Sequence, residues 1–247
     1  MKVAFLGATK GIGRALARLM AERGDRLFLL GRDPEDLERS AEDLRLRAGR
    51  GEAVAGVASL DLEQPGTFAP ALDAAEQALG GLEAVVVTAG LFATQDALEA
   101  DTELARRVLT VDFAHTVLFC EEARKRLLKA GGGTLCVASS VAGERGRKPV
   151  VLYGAAKAGL TRYLEGLDHR YHGQGLKVVC VKPGFVKTGM TAGLPVPPFA
   201  GEPEAVAAAM LRALDRARPV VYAPWPWRWV MLVIRHLPRS VMRRVGF

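Results

Sequence analysis

A glycine-rich turn that opens within seven residues of the N-terminus limits this chain more than any other feature. The stretch GATKGIG, from Gly7 to Gly13, follows directly on the apolar run Lys2 to Leu6. A strand that passes at once into such a turn lets the backbone approach a pyrophosphate. It also starts a helix whose N-terminal N–H groups and dipole favour negative charge. The spacing alone has many structural uses, so the rest of the chain has to decide.

Further apolar runs recur at Arg26 to Gly31, Glu52 to Ala58, Glu83 to Thr88, Thr134 to Ser139, Lys177 to Lys182 and Pro219 to Tyr222, with helical patterns between them. Their near-continuous Val, Leu and Ala content predicts strands covered on both faces. The expectation is one α/β domain over residues 1–247, a doubly wound parallel sheet of about seven strands with helices on both sides. A chain of 247 residues buries roughly three quarters of its unfolded surface, so no staple is required. Cys120, Cys136 and Cys180 lie in apolar stretches without CxxC spacing, which predicts buried, reduced thiols, no metal site and a cytoplasmic setting. The first apolar run ends at Leu6, too short for a signal peptide.

The chemistry is concentrated later. Tyr153 and Lys157 in YGAAK are one helical turn apart on one face, where a cation favours phenolate over phenol. Ser140 stands thirteen residues before Tyr153, and Pro183 with Gly184 follows the next apolar run. The order and separation of these groups resemble the short-chain dehydrogenase/reductase family, from Lys2 to about Thr188.

That resemblance implies an oxidoreductase that reduces a ketone or oxidises a secondary alcohol. Tyr153 would be the acid/base, and Lys157 would lower its pKa and hold the nicotinamide ribose. Ser140 would hydrogen-bond the substrate oxygen. Cofactor contacts carry over to Gly7, Thr9, Lys10, Gly11, Ile12 and Gly13, and to Asp61 and Leu62 beside the adenine. Ala89 and Gly90, Pro183 and Gly184, and Val186 and Thr188 complete the set, with Tyr153 and Lys157. Where NAD-preferring members end the second strand in an acid, this chain has Gly31 followed by Arg32. With Lys10 inside the turn, this implies NADP(H) over NAD(H), because two cations can clamp a 2′-phosphate. The alternative for Arg32 is a solvated charge paired with Asp33 or Glu35.

Three positions depart from the family pattern. Leu6 replaces the usual Thr before Gly7 and removes a hydroxyl tie between neighbouring turns, which predicts a cost in stability. Thr88 stands in the Asn place of the Asn-Ala-Gly turn and keeps one donor and one acceptor. Asp112 occupies the place of the fourth catalytic residue, an Asn that serves relatives through its backbone carbonyl. A carboxylate there would raise the Lys157 pKa and shift the pH optimum upward; the alternative is that Asp112 points elsewhere, into a helix-kink hydrogen bond.

The loop from Val186 to Gly201 holds Pro195, Pro197 and Pro198 and reads as either a substrate lid or an inert connection. The formal net charge is +7, and after Asp215 the chain carries seven arginines and no acid. Nothing accompanies this charge that points to nucleic acid. Trp225, Trp227 and Trp229 precede the apolar run Val230 to Ile234, too short to span a bilayer. The segment 225–247 therefore reads either as lying in a membrane interface, at the inner membrane surface, or as packing over the pocket or a second subunit. Its composition resembles a branch of the family that reduces lipid-linked keto sugars such as decaprenylphosphoryl ketopentose. The family likeness also implies a homodimer or homotetramer. A second function stands beside the reductase: a dinucleotide-binding partner protein in which Leu6, Thr88 and Asp112 mark lost catalysis.

Overall fold

The computed structural model describes residues 1–48 and 52–246; Phe247, the last residue of the C-terminal segment, lies outside the described residues. Among the described residues seven strands form one sheet: β1 (Lys2–Leu6), β2 (Arg26–Gly31), β3 (Val54–Ser59), β4 (Ala84–Val87), β5 (Gly133–Ala138), β6 (Leu176–Pro183) and β7 (Val220–Ala223). All pairings are parallel, in the order β3-β2-β1-β4-β5-β6-β7. The first two strands match the sequence expectation, and the other five differ from it by one or two residues at each end. The third starts at Val54 and runs on to Ser59, the fourth stops before Thr88, and the last extends to Ala223.

Among the described residues ten α-helices connect and follow the strands: α1 (Gly11–Glu22), α2 (Pro34–Arg47), α3 (Phe68–Leu79), α4 (Gln95–Ala100), α5 (Thr102–Leu109), α6 (Thr116–Lys129), α7 (Val151–Tyr171), α8 (Pro203–Arg216), α9 (Trp227–His236) and α10 (Arg239–Met242). The strands are apolar on both faces because both are covered. Val3 and Phe5 point into a core shared with α1, α2 and α8. Ala4 and Leu6, one residue out of step, point into a second core with α3, α6 and α7. This is the period-two alternation of a strand, read into two cores rather than into core and solvent.

The strand order reverses direction between β1 and β4. At such a switch point the connections diverge to opposite faces and leave a crevice beyond the carboxyl ends of the strands. Gly7 follows β1 and Thr88 follows β4, so the glycine turn lies at that crevice. The cysteines are free and buried, as the apolar context predicts, and burial pushes their thiols above the ordinary range.

Candidate active site

The glycine turn is tight enough to exclude side chains. Gly7 has φ +96°, and a Cβ on it would stand 2.5 Å from the backbone nitrogen of Ala89. A Cβ on Gly13 would stand 2.0 Å from the Gly7 carbonyl oxygen, so the first turn of α1 can lie on the preceding loop only with glycine there. Lys10 offers no side-chain cap to α1, and the N–H groups of that first turn are suited to an anion. Thr88 donates its hydroxyl to the Gly7 carbonyl at 3.0 Å, while its N–H donates to the Leu6 carbonyl at 2.9 Å. The tie that Leu6 was expected to forfeit is therefore made from the Thr88 side, and the Leu6 side chain joins the core instead.

The second half of the site is carried by β5 and α7. Ser139 ends the strand region and is structural: its hydroxyl donates to the Lys157 carbonyl at 3.1 Å and bonds the Thr161 hydroxyl at 2.7 Å. Ser140 follows, and its Oγ accepts from the Ala142 N–H at 3.0 Å. Gly143 lets this loop rest on α7, since a Cβ there would meet the Lys157 backbone at 2.6 Å. Tyr153 stacks edge-on against Phe92 with ring centroids 5.1 Å apart. The Lys157 ammonium stands over the Tyr153 ring, 5.6 Å from its centroid.

Asp112 belongs to this group. It lies in a π-helical turn, Thr110–His115, inserted between α5 and α6, the kind of irregularity that often marks a functional site. Its carboxylate is fully buried, accepts from the Leu91 N–H at 2.8 Å and stands 3.5 Å from Lys157 Nζ. Asp112 therefore faces Lys157, and although it sits in a helix irregularity its hydrogen bond goes to Leu91 rather than into the kink. A Cβ on Gly90 would stand 2.7 Å from Asp112 Oδ1, so glycine is needed for this approach. The other carboxylate oxygen, Oδ2, is buried with no partner among the described residues.

Burial sets the electrostatics. The Asp112 carboxyl is raised above its ordinary value, chiefly by desolvation against the Lys157 charge and the Leu91 N–H. Burial pulls the Lys157 ammonium down, but the Asp112 charge, Tyr153 and the Asp112 hydrogen bond together leave it above its ordinary value. The Tyr153 phenol is also raised. Desolvation outweighs the opposing Lys157 charge, and Asp112 adds to it. Lys157 does act to lower the Tyr153 pKa, as expected, but the net shift for the protein alone is upward, because desolvation outweighs the lysine and Asp112 offsets part of its field.

Except for Asp112, which lies behind Gly90 and Lys157, the catalytic and cofactor-binding candidates all line one open cleft of about 1350 Å³. Lys10 and Arg32 are at the end by the second strand. Lys10 pairs with Asp36 at 2.9 Å. Asp33 is occupied as the cap of α2, accepting from Glu35 and Asp36 N–H groups, and Glu35 faces Arg39. Asp61 braces its own turn through Glu63 N–H at 2.9 Å, and the Leu62 carbonyl contacts His115.

A family model described as short chain dehydrogenase matches residues 2–196. The chain belongs to the short-chain dehydrogenase/reductase family. It is 33% identical over 243 residues to an uncharacterized oxidoreductase of Mycobacterium tuberculosis, covering 98% of this chain and 96% of that one. It is 32% identical over 218 residues to carbonyl reductase family member 4 of Danio rerio, covering 85% of this chain and 89% of that one. An actinorhodin polyketide ketoreductase solved with NADPH superposes with a TM-score of 0.79 at 22% identity, over 90% of this chain and 95% of that one, which is a likeness of fold. The protein is thus an oxidoreductase of a family that binds a nicotinamide dinucleotide.

What this short-chain dehydrogenase/reductase builds at the other end of its cleft was not legible residue by residue. Helix α9 packs across the Pro183–Gly184 corner, where a Cβ on Gly184 would stand 2.1 Å from Trp227 Nε1. Trp227 donates that N–H to the Phe199 carbonyl at 3.1 Å. Phe199 has φ +62°, an unusual conformation for a bulky residue, held at this contact. Trp227, Met231 and Ile234 form a small core with Val141, next to Ser140. Glu144 joins the same loop to three elements: it is in ion contact with Lys182 at 2.5 Å and with Arg235 at 3.5 Å, and accepts from the Tyr222 hydroxyl at 3.0 Å. The loop from Val186 to Gly201 is pinned at its neck, with Lys187 N–H on the Gly201 carbonyl and Gly201 N–H on the Phe185 carbonyl. Sequence reasoning missed Glu144, Arg147 and Phe92, and treated Trp227 only as part of a composition; single charged or aromatic residues in loops carry no period to betray them. Among the described residues no helix is long and apolar enough to cross a membrane.

Proposed function

We propose that this protein reduces a hydrophobic ketone with NADPH, using Tyr153 as the proton donor. The observation that carries the proposal is the convergence of Ser140, Tyr153 and Lys157 on the cleft that the glycine turn opens. The residues suit a dinucleotide, because Gly7, Gly13 and Gly90 leave backbone space that a Cβ would fill. Gly7 to Gly13 and the start of α1 would hold the pyrophosphate, Asp61 and Leu62 the adenine, and Pro183 to Thr188 the nicotinamide side. Lys10 and Arg32, with no acid at Gly31, support a 2′-phosphate; Asp36 would keep Arg39 as partner when Lys10 turns to it. Tyr153 and Lys157 would hold the ribose.

When bound, the cofactor supplies a hydride to the carbonyl carbon. Ser140 accepts from Ala142, which leaves its own O–H free to donate to the carbonyl oxygen and stabilise the charge that develops there. Tyr153 gives that oxygen its proton, completing the alcohol, and Lys157 stabilises the phenolate left behind. In the reverse direction the same groups oxidise a secondary alcohol. The apolar wall that α9 and the Val186 to Gly201 loop add to the cleft supports a hydrophobic substrate, free or lipid-linked. It accounts for Trp227, Met231 and Ile234 of the tail, while Trp225, Trp229 and Leu232 stay exposed.

A screen of ketones for NADPH oxidation tests the proposal. Tyr153→Phe should retain NADPH binding and lose turnover by roughly 10²-fold to 10⁴-fold, the usual contribution of a positioned acid. NADPH binding without turnover of any carbonyl would favour the dinucleotide-binding partner protein instead.

A further inference from the structure

Arg147 lies on the loop between Ser140 and Tyr153, just ahead of α7, and lines the cleft with Pro149, Val150 and Tyr153. It is half-buried, and its Nε–H is shut off from solvent with no hydrogen-bond partner among the described residues. The other well-covered arginines are clasped: Arg124 by Glu121, and Arg126 by Asp73 and Glu122. For Arg147, burial alone pulls the pKa below the ordinary arginine value, with no carboxylate opposing it. It nonetheless remains a cation, since guanidinium does not deprotonate in proteins.

The polar groups nearby are already engaged or too far. The Gln95 side chain accepts from Leu152 N–H at 3.1 Å and donates to Glu99 at 2.8 Å. Asp96 lines the same cleft but makes no ion pair with Arg147. A half-covered cation whose buried Nε–H has no partner among the described residues and which has no counter-charge there is costly to keep, so its place in a ligand cleft points to the ligand. The cofactor phosphates have their own donors at α1, Lys10 and Arg32, and Lys157 stands beside Gly90. Arg147 comes from the loop ahead of α7, not from the glycine turn or the second strand, and the cleft it lines also holds the apolar side chains Phe92, Val230, Val233 and Leu237.

We propose that Arg147 recognises an anionic group, a carboxylate or a phosphate monoester, on an otherwise apolar ketone substrate. This rests on the reductase reading of the same site and adds the substrate's chemical class. The planar fork of a guanidinium matches two oxygens of either anion, and a charge-assisted hydrogen bond in a desolvated place is worth roughly tenfold to hundredfold in affinity. A neutral ketone would leave the Nε–H unpaired, so the residue acts against neutral substrates as well as for anionic ones.

The experiment has a binding arm and a turnover arm, each on the full chain saturated with NADPH. Calorimetry compares decanoate, decyl phosphate and methyl decanoate; kinetics compares 4-oxodecanoate with its methyl ester. The wild type should favour at least one anion over the neutral ester about tenfold or more, and the preferred anion identifies the group. In Arg147→Gln that ratio should fall towards one, with Arg147→Lys between the two. Equal binding of anions and ester by the wild type, or an unchanged ratio in Arg147→Gln, overturns the proposal. Absence of turnover for both ketones and for every other carbonyl tried would count against the reductase reading, while the binding ratio would still decide the role of Arg147.

Discussion

The two ends of the cleft are built by different means. At the nucleotide end, backbone presses on backbone: Gly13 against the Gly7 carbonyl and Gly7 against Ala89. Local sequence prescribes those contacts because only glycine fits. At the substrate end, side chains from the Ser140 loop, the Val186 to Gly201 loop and α9 meet across long stretches of chain, joined by Glu144 and Trp227. The first end tolerates almost no change in shape, whereas the second can be rewritten one side chain at a time. One family can therefore keep a cofactor while changing what it reduces.

Substitutions at the two ends test that contrast. The largest effect is expected from Glu144→Gln, which leaves the buried Lys182 ammonium without its carboxylate. Breaking one partner of a buried ion pair costs about 3–5 kcal/mol, which at this chain length is a fall in Tm of at least about 6 °C. Calorimetric melting reads it, and an unchanged Tm would mean that Glu144 does not hold the substrate end together. Gly13→Ala comes next. Forcing a methyl against the Gly7 carbonyl should cost about 1–3 kcal/mol of stability and lower NADPH affinity by roughly 10²-fold through misplacement of the turn. Wild-type fluorescence titration of NADPH by this variant would show that the backbone at this end is softer than its spacing says.

Arg32→Asp should move the ratio of NADPH to NADH kcat/KM towards NADH by about tenfold or more, the worth of one charge-assisted hydrogen bond. A constant ratio would remove Arg32 from cofactor choice. The smallest effect is expected for Asp112→Asn. Asp112 raises the Tyr153 pKa, second to burial among the groups that do so. The amide can still accept from Leu91 N–H. Removing the charge should let the phenol titrate lower, so the limb of the pH–rate profile that reports Tyr153 moves to lower pH by up to about one unit. An unmoved limb would remove Asp112 from the electrostatics of catalysis.

The contrast also explains what could be read in advance. Near-continuous Val/Leu/Ala runs located all seven strands, and the motifs placed Ser140, Tyr153 and Lys157 in one cleft with the glycine turn. The sign of the Tyr153 shift was not readable, because a sequence gives the spacing of a lysine from a tyrosine but not the burial that outweighs it. Leu6 looked like a lost tie because the compensating Thr88 hydroxyl comes from another strand. The tail was legible as apolar and basic, and what it would cover was not: Trp227 turns inward on Gly184 while Trp225 and Trp229 remain exposed.

The amino-acid sequence by itself determined the parallel sheet, its crevice and the family chemistry, because strand periods, glycine positions and a one-turn Tyr–Lys spacing are local properties of the chain. Tertiary structure alone decided that Asp112 faces Lys157, that Glu144 ties the Ser140 loop to α9, and that Arg147 is left without a carboxylate in an apolar wall. Those facts depend on which distant groups meet and how much water is excluded where they meet, and neither quantity is written in any single stretch of sequence.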